Sequence, residues 1–133
     1  MIISDLEHYD SEKILKMILL HDLAESSIGD YTPDEIDKEE KERIENNAFF
    51  EITEKLPSDL KSQYDEIWKE YQYHITPESK IVHQIDKLEM ALQAKTYQKE
   101  GASKEKTAPF IESARISITH PKLKALFNLI QQD

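Results

Sequence analysis

Glycine is scarce in this chain, and its scarcity limits the folds that the chain can adopt. Only Gly29 and Gly101 occur among 133 residues. A phosphate-binding loop rich in glycine is therefore excluded. Few segments alternate β-branched and polar residues, whereas apolar residues recur at helical spacing along most of the chain. The sequence predicts an all-α fold.

The composition is that of one globular domain without disulfides. Hydrophobic residues make up 38% and charged residues 33%, and there is no cysteine. The formal net charge of −10 disfavours binding to nucleic acids, and no apolar run approaches the length of a membrane span. We therefore predict a single domain over residues 1–133 in a cytoplasmic protein, with a small molecule as its partner rather than a nucleic acid or a membrane.

Start and stop signals divide the chain into five or six helices that would pack as a compact bundle. Asp10 is a plausible N-cap for the first complete helix, and Thr32 to Glu35 form a capping box for the next. Residues 1–6 are apolar without a start signal, so we interpret them as the tail of a helix that begins upstream. A polar loop is expected at residues 102–107. The predicted helices span residues 11–25, 32–56, 59–73, 77–100, 109–117 and 121–131.

The first helix carries the strongest chemical signal. Glu25 is four residues after His21 and three after Asp22, so the three side chains project from one helical face. His21 follows Met17 by four residues and Asp22 follows Ile18, which places polar groups where apolar residues would continue the buried side. Burial of such groups is costly without a partner, and a divalent cation is one such partner.

A second acidic residue lies in an apolar context. Asp86 follows Val82 by four residues within a segment that also contains Ile85 and Leu88. It is therefore a candidate ligand from a second helix. Considered by itself, this carboxylate is better explained by an ion pair with Lys87 or another base.

For several of these residues, a purely structural role remains an alternative to a functional one. A His-Asp pair on its own is often a surface pair or a histidine with a satisfied hydrogen bond, and Asp30 could simply follow Gly29 in a turn. The other histidines are interpreted as structural residues without a catalytic or metal-binding role. Four acidic residues of the next helix are interpreted as a solvated face, namely Glu39, Glu40, Glu42 and Glu45. Three aromatic residues are interpreted as core, namely Tyr64, Trp68 and Tyr71.

The segment from Ile14 to Tyr97 resembles the HD-domain hydrolases, and within them the 5′-deoxynucleotidase branch. His21-Asp22-x-x-Glu25 is followed by Gly29-Asp30-x-x-Pro33 at the spacing of that branch. Further similar segments are Lys38-Glu39-Glu40-Lys41, Leu56-Pro57, Ile67-Trp68-Lys69-Glu70-Tyr71 and residues 82–94 with Asp86.

The resemblance implies an HD-domain helical bundle that hydrolyses 5′-deoxynucleoside monophosphates. It implies that His21, Asp22 and Asp86 hold a divalent ion, which could be Mn²⁺, Co²⁺, Mg²⁺ or Zn²⁺. It also implies that Glu25 and Asp30 lie near the attacking water as catalytic residues. Two alternatives remain: a catalytically silent HD domain that serves as a dimerisation or ligand-binding module, and an HD hydrolase that acts on a different phosphoester.

One ligand of the family pattern is not matched. The first metal-binding histidine of the family lies on an earlier helix, whereas His8 is the sole histidine among the 20 residues before His21 and is expected in a turn. We therefore expect that the chain lacks the helix with this ligand, binds metal weakly and exposes apolar surface around Ile14, Ile18 and Leu88. Such surface favours a homo-oligomer, most simply a dimer.

Overall fold

A computed structural model describes residues 3, 7–29 and 36–132 of the chain. The described residues form helices and connecting turns, with no strand among them, which confirms the all-α prediction. The described residues contain six helices, in agreement with the predicted five or six. The helices are α1 (Ser11–Ile28), α2 (Lys38–Thr53), α3 (Ser58–Gln72), α4 (Pro77–Lys99), α5 (Lys104–Ser117) and α6 (Pro121–Gln132).

Helix α1 has the predicted start and a later end. The side chain of Asp10 accepts a hydrogen bond from the backbone N–H of Lys13 at 3.0 Å, as an N-cap should. The helix continues one turn beyond Glu25 and ends where Gly29 adopts a φ of 77°. Glycine tolerates this left-handed φ without the steric cost of a Cβ, so Gly29 terminates the helix.

One predicted helix start differs from the structure, and another lies outside the described residues. The polar loop expected at residues 102–107 is wrong, because α5 begins at Lys104, where the Ser103 side chain accepts from the N–H of Lys106. Pro109 was expected to open that helix and instead lies inside it. The expected start of the second helix at residues 32–35 lies outside the described residues. Asp37 caps α2 by accepting from the N–H of Glu40 at 2.8 Å.

The chain consists of two compact units, Met1–Lys80 and Ile81–Asp133. In the first unit, α1, α2 and α3 pack against one another. Trp68 and Phe49 are buried there with their rings stacked at a centroid distance of 4.4 Å, and Tyr71 is buried beside them. Trp68 and Tyr71 are therefore core residues, as predicted, while Tyr64 is only partly buried. The extent of a single domain over residues 1–133 stays a prediction.

The second unit has a core of small and aliphatic residues. Its buried apolar side chains are Ile81, Val82, Ala91, Ala94, Ala114, Ile118, Leu123 and Phe127. A side-chain contact fixes one helix end there. The Gln84 side chain of α4 accepts hydrogen bonds from the backbone N–H groups of Thr119 at 2.9 Å and His120 at 2.8 Å. These groups precede α6, so Gln84 supplies acceptors at the start of that helix.

The exposed apolar residues are not those that the sequence predicted. Ile14 is fully buried, and Ile18 and Leu88 are partly buried. Instead, Leu15, Leu19 and Leu23 of α1 are exposed and recur every four residues, so they form one stripe. Among the described helices, none has the length and apolar character that crossing a membrane requires.

Candidate metal centre

Helix α1 presents three side chains with metal-binding atoms. His21 follows the buried Met17 by four residues, and only 12% of its side-chain surface is exposed. Glu25 lies one further turn along and is 28% exposed. Asp22 is 71% exposed, contrary to the expectation that it continues the buried side. The cluster therefore lies at the edge of the first unit, with the imidazole on its inner side and a carboxylate in solvent.

The potential ligand atoms of the three residues are close together. They lie within 4.8 Å of one another. Nε2 of His21 is 2.9 Å from Oε1 of Glu25, and Nδ1 of His21 is 3.5 Å from Oδ1 of Asp22. One imidazole nitrogen with carboxylate oxygens suits Mn²⁺, Co²⁺ or Zn²⁺, and the oxygens also suit Mg²⁺. The donor set therefore fits a divalent cation, although three residues of one helix leave room for a ligand from elsewhere.

Aromatic packing orients the histidine. The His21 ring lies 5.3 Å from the ring of Tyr71, at an interplanar angle of 53°. The Tyr71 ring in turn lies 5.6 Å from Trp68, which stacks on Phe49. Because Trp68 and Tyr71 are buried, this column limits the positions that the imidazole can take. The core of the first unit therefore holds His21 in place.

The surroundings of Glu25 favour its ionised form. A hydrogen bond with His21 lowers the pKa of Glu25, against the opposing effect of partial burial. The charges of His21 and Lys41 lower the pKa of Glu25 further. Glu25 is therefore ionised at neutral pH, and an ionised carboxylate can coordinate a cation or accept a proton.

A polar network on α2 and α3 lies in the same unit, and the sequence did not reveal it. Oε1 of Glu45 is 3.4 Å from Nζ of Lys41, and Oε2 accepts a hydrogen bond from Nε2 of Gln72 at 3.2 Å. Gln72 also donates to Asn46, whose Oδ1 accepts from the Trp68 indole at 2.7 Å. Glu45 is buried, so its assignment to a solvated face is wrong. The available signals were the i,i+4 spacing of Lys41 and Glu45 and the need of a buried indole for an acceptor.

Comparison with known proteins identifies the family. The family model described as HD domain matches residues 1–125. The chain belongs to the HD domain family. This finding confirms the resemblance drawn from the His21-Asp22-x-x-Glu25 motif.

Curated relatives of this HD domain carry one activity in their names. A protein of Dictyostelium discoideum named 5′-deoxynucleotidase HDDC2 is 41% identical over 133 residues, which cover 97% of this chain and 70% of the relative. The human 5′-deoxynucleotidase HDDC2 is 34% identical, covering 100% of this chain and 65% of that protein. The 5′-deoxynucleotidase hdd1 of Schizosaccharomyces pombe is 38% identical, with 93% and 65% covered. The chain thus spans about two thirds of the length of these relatives.

The remaining predicted site residues of the HD domain are placed less completely. Asp86 is a partly buried residue of α4 in the second unit, and its convergence with His21 stays a prediction. Asp30 lies outside the described residues. His8 is exposed, precedes α1 and has a φ of 59°. The structure thus brings together His21, Asp22 and Glu25, whose roles as ligands or catalytic groups stay predictions.

Proposed function

We propose that this HD domain is a metal-dependent phosphohydrolase that acts on 5′-deoxynucleoside monophosphates. The observation that carries the proposal is the cluster of His21, Asp22 and Glu25, which brings two of the proposed ligands beside an ionised carboxylate within a member of the HD domain family. The substrate class rests on the relatives, which are named 5′-deoxynucleotidases.

The side chains have distinct parts in the proposed reaction. His21, Asp22 and Asp86 would hold the ion, with His21 positioned by the ring of Tyr71. When bound, the ion supplies a water of lowered pKa and offsets phosphate charge. Glu25 is an ionised carboxylate, so it can hold the attacking water by accepting its hydrogen bond and then take its proton. Asp30 is a second carboxylate that we propose for the same task.

A metal-dependence assay tests the proposed activity. Phosphate release from 2′-deoxynucleoside 5′-monophosphates should require Mn²⁺, Co²⁺, Mg²⁺ or Zn²⁺ and should stop when a chelator is added. Ribonucleotides serve as the substrate control, and a phosphodiester tests the alternative phosphoester chemistry. A protein that binds no divalent ion and releases no phosphate would support instead the catalytically silent HD domain.

Substitution of Glu25 separates proton transfer from metal binding. Glu25→Gln should lower turnover about 100-fold or more, because the amide cannot accept the proton. Metal affinity, measured by calorimetry, should change much less than in His21→Ala. Glu66→Gln is a matched control, since Glu66 is an exposed glutamate of α3. Equal turnover in Glu25→Gln and the wild type would remove Glu25 from the mechanism.

We also propose a cytoplasmic homodimer. The absence of cysteine suits a cytoplasmic protein, and the exposed stripe of Leu15, Leu19 and Leu23 offers apolar surface for a second copy. Light scattering coupled to size exclusion measures the mass directly. Leu19→Lys should convert a dimer that uses this stripe into a monomer, while a mass that Leu19→Lys leaves unchanged would exclude the stripe as the interface.

A further inference from the structure

Lys41 of α2 pairs a partly exposed ammonium with a buried carboxylate. Its Nζ lies 3.4 Å from Oε1 of Glu45, which is one turn further along the helix. The Lys41 side chain is 43% exposed, whereas that of Glu45 is only 9% exposed. The ammonium therefore stands at the surface while its counterion lies in the protein. Lysine has three N–H donors, so an ammonium at the surface can pair with Glu45 and still bind another acceptor.

The carboxylate of Glu45, which pairs with Lys41, is held in place by a hydrogen bond from the neighbouring helix. Gln72 of α3 donates a hydrogen bond to the other carboxylate oxygen of Glu45. Gln72 also donates to Asn46, which accepts from the buried Trp68. A buried carboxylate is costly unless it is paired and hydrogen-bonded, and here each oxygen of Glu45 has a partner. The hydrogen bonds among Glu45, Gln72 and Asn46 therefore connect the position of the ammonium to the buried core.

Lys41 also belongs to the surroundings of the metal-binding cluster. Helix α2 packs against α1, which carries His21 and Glu25. The neighbour of Gln72 in sequence is Tyr71, whose ring contacts His21. The cation and the cluster are therefore parts of one three-helix junction.

An anionic substrate needs a cation at such a site. The chain has a formal net charge of −10, and the cluster itself contributes Asp22 and Glu25, so a phosphate that approaches meets repulsion. A fixed ammonium opposes this repulsion and donates charge-assisted hydrogen bonds to phosphate oxygens.

We propose that Lys41 binds the phosphate group of the substrate beside the His21–Asp22–Glu25 cluster, and that Glu45 and Gln72 hold it in position for this task. The ligand class is a phosphate monoester dianion or free inorganic phosphate. In its catalytic consequence the inference rests on the proposed phosphohydrolase function, but the binding of phosphate to Lys41 can be measured without turnover.

Titration with inorganic phosphate tests the proposal. Calorimetry of the full chain with a divalent ion present should give a dissociation constant for phosphate that rises about 10-fold or more in Lys41→Met, because charge-assisted hydrogen bonds are lost. Lys41→Arg, which keeps the charge, should retain most of the affinity. Lys61→Met is the matched control, since Lys61 forms an i,i+4 ion pair with Asp65 on α3 at 2.7 Å. Circular dichroism checks folding, and Lys41→Gln replaces Lys41→Met if the latter unfolds.

Kinetics of the same variants complete the test. Lys41→Met should raise KM for the nucleotide more than it lowers kcat, because the phosphate is bound both before and during the reaction. Glu45→Gln should weaken phosphate binding by a smaller factor, since the ammonium remains but its anchor is weakened. Phosphate affinity in Lys41→Met equal to that of the wild type would overturn the proposal.

The two proposals fail in different ways. A wild-type protein that binds phosphate through Lys41 but hydrolyses no nucleotide supports the role of Lys41 and overturns the proposed function. A protein that hydrolyses nucleotides while Lys41→Met leaves both KM and the phosphate affinity unchanged overturns the role of Lys41 alone. A wild-type protein without measurable affinity for millimolar phosphate also overturns it.

Discussion

The two compact units of this HD domain use polar side chains differently. In the first unit, polar contacts join the faces of neighbouring helices, as in the bonds from Trp68 to Asn46 and from Gln72 to Glu45. In the second unit, the contacts of Gln84 with Thr119 and His120 serve the start of a helix. A polar network between helix faces fixes side chains relative to one another, whereas a cap fixes only a helix end. The second unit also joins two helices through a side-chain hydrogen bond, from Gln98 of α4 to Thr107 of α5. The connected series of polar contacts between helices lies in the first unit, which also carries the His21–Asp22–Glu25 cluster.

Removing the central aromatic residue of the first unit should have the largest effect on stability. Trp68→Ala deletes a buried ring that stacks on Phe49 and contacts Tyr71, and it leaves Asn46 without its indole donor. We expect a loss of about 3–5 kcal/mol in the free energy of unfolding, measured with urea.

Trp68→Phe separates the two contributions. It keeps much of the apolar surface and removes the N–H, so it should cost less than Trp68→Ala, about 1–3 kcal/mol. If Trp68→Ala cost under about 1 kcal/mol, the aromatic column would not be what holds the first unit together.

Removing the helix-start contact of the second unit should have a smaller effect. Gln84→Ala leaves the backbone N–H groups of Thr119 and His120 without the side-chain oxygen that accepts from both. The expected loss is about 1–2 kcal/mol, as for a lost cap. Gln93→Ala is the control on the same helix, because the hydrogen bond of Gln93 to Tyr97 is exposed. Equal unfolding free energies for Gln84→Ala and Gln93→Ala would show that the contact does not stabilise α6.

Sequence reasoning succeeded where the signal was local. The spacing of His21, Asp22 and Glu25 follows from helical geometry alone, so the structure reproduces their proximity. Asp10 was recognised as a cap because a cap is defined by its neighbours in sequence. The partner of Glu45 on α3 is 27 residues away, and no periodicity along one helix predicts such a contact. The charge of Glu45 predicts an exposed side chain, whereas its burial depends on how α2 and α3 pack.

Pro109 shows the limit of local signals at helix starts. Proline favours the first helical turn, which suggested a start near Pro109. Ser103 caps α5, so the helix begins at Lys104, five residues before Pro109, and continues through that proline. A capped first turn and the packing of the buried Thr107 and Ala114 therefore outweigh the lost backbone hydrogen bond.

Replacing this proline should stabilise the second unit. Pro109→Ala allows the N–H of residue 109 to bond the carbonyl of Glu105, and the exposed position tolerates the smaller side chain. The gain is reduced because proline also restricts the unfolded chain, so we expect a net gain of about 1 kcal/mol. Thermal and urea unfolding measure it. A loss of stability would mean that proline packs favourably at this position.

The smallest expected effect concerns His74, which follows the C-terminus of α3. Its φ is 52°, and the backbone N–H of Ile75 bonds the carbonyl of Glu70 at 3.1 Å, which satisfies a carbonyl of the last helical turn. A left-handed φ is strained in a residue with a Cβ. His74→Gly should therefore raise the free energy of unfolding by about 0.5–1 kcal/mol at neutral pH.

The advantage of His74→Gly should grow in acid. Partial burial, followed by the charges of Lys38 and Lys80, lowers the pKa of His74 in the folded protein. The unfolded chain then binds a proton more readily than the folded one, so the wild type loses stability as the pH falls below the ordinary histidine pKa of about 6.5. Glycine has no side chain that titrates. The difference in unfolding free energy between variant and wild type should therefore be larger at about pH 5.5 than at about pH 7.5. Other titrating groups are common to both proteins and cancel in this comparison. His74→Asn, which tolerates a left-handed φ and does not titrate, should show the same dependence on pH. If the stability difference between variant and wild type were the same at both pH values, protonation of His74 would not affect the stability of the fold.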